Sequence, residues 1–198
     1  PVLLPEGVPV TADLSYREPV RIGFFGHYRK GEKDIDGIIQ AFLDSHLQGK
    51  AELVVQAAPT GPDDAADMER IMNKYGSEPA VRFIKGKVLG KAWYDLLQSV
   101  DVLFLPYSNE RYLYNWSAVY FNALALYKPV LATAVLNPEI LRSYTVGQEV
   151  DLQDLGHLRQ QLGQFLQSYE QMLPTYEAEL KLVNHDFSTT MFLKNILK

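Results

Sequence analysis

Cysteine is missing altogether from this 198-residue chain. That excludes disulfides and thiolate metal sites, and it agrees with a cytoplasmic location, the one we expect. No apolar run approaches the roughly 18–20 residues of a membrane span, and no signal peptide is visible. Cations are in the minority, with 19 Lys and Arg against 24 Asp and Glu and a net charge of −5. This argues against a nucleic-acid partner held by a broad basic face, yet leaves room for a local cationic cluster around a phosphate. Neither GxxxxGKS/T nor GxGxxG occurs, so a P-loop ATPase and a standard dinucleotide oxidoreductase are not expected. His27, His46, His157 and His185 show no metal-ligand spacing, and the last three read as surface residues. There is no Ser-His-Asp pattern, internal repeat or low-complexity tract. The chain opens on Pro1 rather than methionine, so we expect a piece of a longer protein.

What is present is an alternation. Hydrophobic residues make up 47% and charged residues 22%, ordinary values for a globular domain, and the length suits a single core. The first 19 residues have turn chemistry at Pro5-Glu6-Gly7 and no sustained period, and read as a linker. VRIGFFG then reads as a buried strand ending in glycine, HYRKGEKD as a loop, and Ile35 to Leu47 as a helix. ELVVQA and VRFIKG are further strands, followed by helices over PDDAADMERIMNKYG and GKAWYDLLQSV. Val102–Leu105 is a fourth strand; a polar loop leads to a helix capped by Asn115, and Val130–Ala134 is a fifth strand. After Pro138 the chain reads as helical: PEILRSY, then Leu152 to Met172, then Pro174 to Lys198 broken near Asp186. Five or six strands alternating with helices predict an α/β fold, a doubly wound, Rossmann-like parallel sheet with a helical tail. The expected divisions are 1–19, 20–151 and 152–198.

In such sheets ligands sit at the carboxyl ends of the strands, so the loops there are where chemistry is expected. The loop after strand one places Gly26, His27, Arg29, Lys30 and Lys33 together, with glycine for close backbone approach and cations for a diphosphate. A solvated turn with scattered charge is the other reading. Gly86 ends strand three at the same edge. Asn115 and Ser117, at the next helix start, can cap N–H groups or hold phosphate oxygens. Glu110 can orient a sugar hydroxyl or simply face water. Asn122, further into that helix, can meet a ribose or lie on the wet flank. Tyr107, Tyr112 and Tyr114 can stack on a ligand or pack the loop.

The order of these segments resembles the C-terminal, donor-binding domain of GT-B glycosyltransferases, in the retaining, nucleotide-sugar-using group 1 branch. LLPEGV is similar to the family's interdomain "IPNGV", and RIGFFGHYRKGEKDIDGIIQAF to its Gly, Lys-Gly and Ala-Phe run. VRFIKGKV with WYDLLQSVDVLFLPYS, and NALALYKPVLAT, resemble the segments that follow in that family. The likeness covers nearly the whole chain. It implies that Lys33 holds the donor diphosphate, with His27 where the family usually has arginine. Of the family's two paired glutamates, Asn122 replaces the second and Tyr114 stands where the first would be. Glu110 serves as the first only if the loop carries an insertion, and Ser117-Ala118 is close to a Ser-Gly variant of the helix start.

The resemblance implies sugar transfer from a UDP- or GDP-sugar, with Lys33 and Glu110 as catalytic candidates and no cofactor or metal. Gly26, His27, Arg29, Lys30, Lys33, Gly86, Asn115, Ser117 and Asn122 would bind the donor. Expected partners are the nucleotide-sugar and an N-terminal GT-B domain that brings the acceptor. The full-length enzyme is compatible with peripheral membrane association, in polysaccharide or glycolipid synthesis. The final segment, FSTTMFLKNIL, would cross to the N-terminal domain or pair two copies. Two other readings stand beside this one: a noncatalytic nucleotide-sugar-binding or regulatory module of the same fold, and an enzyme of related architecture such as a nucleotide-sugar epimerase.

Overall fold

A computed structural model describes residues 4, 7–12, 14–47 and 49–196. Six strands form one parallel sheet: β1 (Val20–Tyr28), β2 (Ala51–Pro59), β3 (Val81–Phe83), β4 (Val102–Leu105), β5 (Val130–Ala132) and β6 (Gly147–Glu149). Their spatial order is β3-β2-β1-β4-β5-β6, the doubly wound arrangement in which the chain reverses direction across the sheet between β1 and β4. β1 is central, paired with β2 from Val20↔Ala51 to Tyr28↔Pro59 and with β4 at Ile22↔Val102 and Gly23↔Leu103. Both faces of the sheet are covered, which is why β2 and β4 read as continuous apolar runs rather than alternating ones.

The helices α1 (Ile35–Asp44), α2 (Pro62–Tyr75), α3 (Lys91–Gln98), α4 (Ala118–Ala125) and α5 (Pro138–Ser143) connect the strands. Asp34 caps α1 by accepting from Gly37 N at 2.9 Å. At α4 the cap differs from the sequence reading. Ser117, not Asn115, is extended (φ −88°, ψ 110°) and accepts from Tyr120 N at 3.2 Å. Residues Glu110–Tyr114 take a 3-10 turn, which leaves Asn115 upstream of the helix and exposed. β1 also runs two residues past Gly26, so His27 and Tyr28 belong to the strand rather than the loop.

The helical tail is α6 (Leu155–Asp186) and α7 (Thr189–Ile196). α6 continues through Pro174, where a break was expected. Its apolar seam, including Phe165, Tyr169, Leu173, Tyr176 and Leu180, remains buried on both sides of the proline, and packing outweighs one lost backbone hydrogen bond. α6 packs against α1 and α4. Phe192, Leu193 and Ile196 of α7 are exposed. Residues 197 and 198, and Leu3, Pro5 and Glu6 of the LLPEGV segment with its expected turn, lie outside the described residues. The described part of 1–19 is tied down: Arg17 pairs with Asp101 at 2.7 Å, and Pro9 O accepts from Gln98 Nε2 at 2.8 Å. No described helix is long and apolar enough to cross a membrane.

One core group stands out. The Tyr120 hydroxyl is buried and, among the described residues, has no hydrogen-bond partner. An unsatisfied buried hydroxyl costs about 1–3 kcal/mol. Tyr120→Phe should therefore leave stability unchanged or raise it, as read by the midpoint of urea unfolding, whereas a core tyrosine with a partner would lose stability on the same change.

Candidate functional site

At the carboxyl edge of the sheet, where β1 and β4 part company, lies a cavity of about 760 Å³. Its floor is the end of β1 and the turn that follows, its far wall the 3-10 turn and the start of α4, and its side the loop leading into α3. The crevice occurs here because neighbouring strands send their connections to opposite faces of the sheet.

Lys33 is the chemical centre. Glu32 N donates to Arg29 O at 3.1 Å and Ile35 N to Lys33 O at 3.0 Å, so the chain turns back toward β1 immediately before the Asp34 cap. The Lys33 ammonium is brought inside, with 7% of the residue exposed. Its Nζ donates to His27 O at 2.9 Å and lies 4.7 Å from the Tyr107 ring centroid and 5.3 Å from that of Phe24. Burial pushes its pKa down from 10.5 to about 8, with Glu32 acting weakly the other way. Gly26 has φ +127°, and a Cβ there would meet Lys33 Nζ at 3.9 Å. Glycine is therefore needed for backbone conformation more than for space.

Opposite stands the N-terminus of α4. Ser117 is buried and its hydroxyl caps Tyr120 N. Asn137 Oδ1 accepts from Ser117 N at 3.4 Å. Ala118 and Val119, whose first-turn N–H groups have no helical carbonyl within reach, line the same cavity. Tyr107 joins the two sides, since its ring lies under Lys33 and both Tyr107 and Ser117 line the cavity. Burial raises the pKa of the Tyr107 hydroxyl. Thr133 donates to Tyr107 O and holds the loop to the end of β5.

Of the residues expected here, Gly26, His27, Arg29, Lys33, Ser117 and Asn122 line the cavity, and so do Tyr107 and Tyr112. Four do not. Lys30 is exposed, with its backbone N bonded to Asp64 Oδ1 at 2.9 Å. Gly86 lies behind Gln56, to which its carbonyl is bonded at 2.6 Å. Glu110 and Asn115 are carried outward by the 3-10 turn, and Tyr114 is 90% exposed. Residues not anticipated are Lys87, Gln56, Trp93 and Asn137. Gln56 carried a signal: a lone amide inside the apolar run LVVQAA must find partners. It bridges the ends of β1 and β3 by accepting from Gly26 N at 3.3 Å and donating to Gly86 O. Trp93 Nε1 donates to Asn122 Oδ1 at 3.4 Å.

Among the described residues, the cavity thus gathers Arg29, Lys33 and Lys87 against a single lining carboxylate, Glu32, in a chain whose net charge is −5. A buried ammonium facing a helix N-terminus is a site for an anion. His46, His157 and His185 are exposed and remote from it.

Comparison with known proteins agrees with the architecture. A family model described as glycosyl transferases group 1 matches residues 19–168. Among solved structures, the C-terminal domain of the group 1 glycosyl transferase LpcC from Francisella tularensis superposes with TM-score 0.68 at 20% identity, covering 86% of this chain and 87% of that one. HepE from Anabaena, in complex with UDP and glucose, gives TM-score 0.62 at 13% identity, covering 89% of this chain and 47% of that chain. A mutant of S. aureus TarM, whose complex contains UDP, gives 0.66 at 12% identity, with 94% and 36% covered. The chain therefore spans half or less of the length of the two larger structures. No curated protein matches the sequence.

The buried ammonium has a measurable consequence. Folded Lys33 loses its proton near pH 8 and the unfolded lysine near 10.5, so the unfolded chain binds more protons in between. This group makes stability rise with pH across that window. Unfolding free energies of the wild type and Lys33→Met, measured at about pH 7.5 and about pH 9.5, should show a rise in the wild type that the variant lacks.

Proposed function

The chain belongs to the group 1 glycosyl transferases, and on that premise we propose that it is the domain holding the nucleoside-diphosphate-sugar donor, with the diphosphate between Lys33 and the N-terminus of α4. The observation that carries this is the convergence on one cavity of a buried ammonium and first-turn N–H groups. Sugar transfer breaks the bond between the sugar's anomeric carbon and the diphosphate oxygen, and negative charge grows on that oxygen in the transition state. Lys33, Arg29 and the N–H groups of Ala118 and Val119 are placed to meet this charge, without a metal being called upon. Tyr107 sets the position of the ammonium from below.

An acceptor would be brought by a second domain, consistent with a chain that covers about half of HepE. The exposed Phe192, Leu193 and Ile196 of α7 offer such a domain an apolar contact. Transfer to a growing polysaccharide or glycolipid is the setting we favour. A noncatalytic module remains the second reading. Its support is that Glu110 and Tyr114 are both exposed, leaving Glu32 as the only carboxylate in the cavity wall among the described residues.

Calorimetric titration should show UDP or GDP binding to this chain, and Lys33→Met should weaken it at least tenfold, on the order of one charged hydrogen bond. An adjacent diphosphate raises the Lys33 pKa from about 8, so binding takes up a proton and affinity should fall as pH climbs past that value. In the full-length enzyme Lys33→Ala should lower the transfer rate by about a hundredfold or more, while the isolated chain should transfer nothing. Nucleotide binding with no transfer by the full-length protein would favour the noncatalytic reading.

A further inference from the structure

A lysine that is buried and still lines a cavity has two uses, as a charge and as an amine, and the proposed function draws only on the first. Lys33 is such a residue. Its Nζ gives one proton to His27 O and lies against the rings of Tyr107 and Phe24. Gly26, whose Cβ would stand 3.9 Å from Nζ, adds no side chain beside it. Burial lowers the pKa to about 8, so near neutral pH a much larger share is free amine than in an ordinary lysine. A desolvated amine of this kind is a nucleophile toward carbonyl carbon. Arg29 and Lys87 line the same cavity with exposed, cationic side chains that can follow an anion. Lys30, only three residues from Lys33, is exposed and lies outside the cavity wall.

We propose that Lys33 is an imine-forming amine for small aldehydes that carry a phosphate, with the phosphate against Arg29 and Lys87 and the carbonyl carbon at Nζ. The bond that forms is Nζ–C. The carbonyl C–O bond breaks, and its oxygen leaves as water with the two protons of the neutral amine. No oxidant or reductant takes part. On taking up one proton, the imine regains the positive charge that the Tyr107 and Phe24 rings face, and one N–H to donate to His27 O. The adduct therefore keeps the contacts that hold the ammonium. A cavity of about 760 Å³ is of the size that takes small molecules. The inference goes beyond the donor reading and does not need it, since an amine, two cations and room suffice.

The probe is pyridoxal 5′-phosphate, and its control is 5-deoxypyridoxal, which lacks the phosphate and cannot close on its own aldehyde. Each is mixed with this chain at about pH 7.5, the imines are fixed by borohydride, and the modified lysines are located by peptide mass spectrometry. With the phosphorylated probe, Lys33 should be modified about tenfold faster than Lys30 or more, following its larger share of free amine. The control should modify Lys33 about tenfold more slowly than the probe, the order of one charged hydrogen bond. Labelling confined to exposed lysines overturns the proposal, and equal labelling of Lys33 by the two aldehydes overturns the phosphate contact. Lys87→Ala, a change at an exposed side chain, should slow labelling of Lys33 by the probe about threefold or more and leave the control unchanged. An unchanged rate with the probe overturns the assignment of Lys87. An imine at Lys33 in a chain that binds neither UDP nor GDP would uphold this inference and overturn the donor reading.

Discussion

The molecule is organised around one awkward charge. Lys33 carries its ammonium into a place where 7% of the residue is exposed, and a desolvated cation is unfavourable unless its surroundings replace water. His27 O supplies one hydrogen bond, and the faces of Tyr107 and Phe24 supply the quadrupole attraction that water would otherwise outcompete. The compensation is incomplete, as the lowered pKa records. An anion in the adjoining cavity would complete it, the arrangement on which the proposed function rests.

Much of the nearby structure serves to keep that arrangement in place. Phe24 belongs to the central strand β1, gripped on both sides by β2 and β4. Tyr107 follows β4 and is tied to the end of β5 through Thr133. Gln56 fastens the end of β1 to the loop after β3. Several groups that line the cavity therefore lie at the ends of doubly covered strands, whereas Tyr114 in the 3-10 turn and Trp116 just after it are exposed. Trp116 stacks on Phe121 at 4.0 Å, so even this rim has one firm point.

The architecture was legible because it rests on repeated, local signals. The Val102–Leu105 run and its abrupt stop at Pro106 mark a strand whose bounds are those observed, and helical spacing in Ile35 to Phe42 marks α1. Lys33 was legible from charge and glycine in one loop. What was not legible depends on geometry across the sheet. Asn115 and Ser117 are both good caps, and the choice between them was made by the 3-10 turn, itself set by Tyr112 packing edge-on to Tyr107 at 4.4 Å. Glu110 looked useful as the lone acid of its loop, but the same turn points it to water. Pro174 is locally a breaker, and only the continuity of the buried seam from Leu158 to Val183 explains its tolerance. Trp93 and Asn122 meet from different helices, a pairing that periodicity cannot predict.

The position of β1 also governs the order in which the fold can assemble. Its first neighbour, β2, follows after a single helix, but its other edge waits for β4, with β2, α2, β3 and α3 all in between. A chain growing from its N-terminus consequently carries an uncovered, strongly apolar edge until Val102–Leu105 is available, and closing it requires long-range pairing. Gly23 sits in that register, facing Leu103, and any side chain there would strike the Phe25 ring at 2.6 Å. The same strand that presents Phe24 to the ammonium thus also receives β4 along its other edge, and its sequence is constrained by that pairing as much as by the cavity.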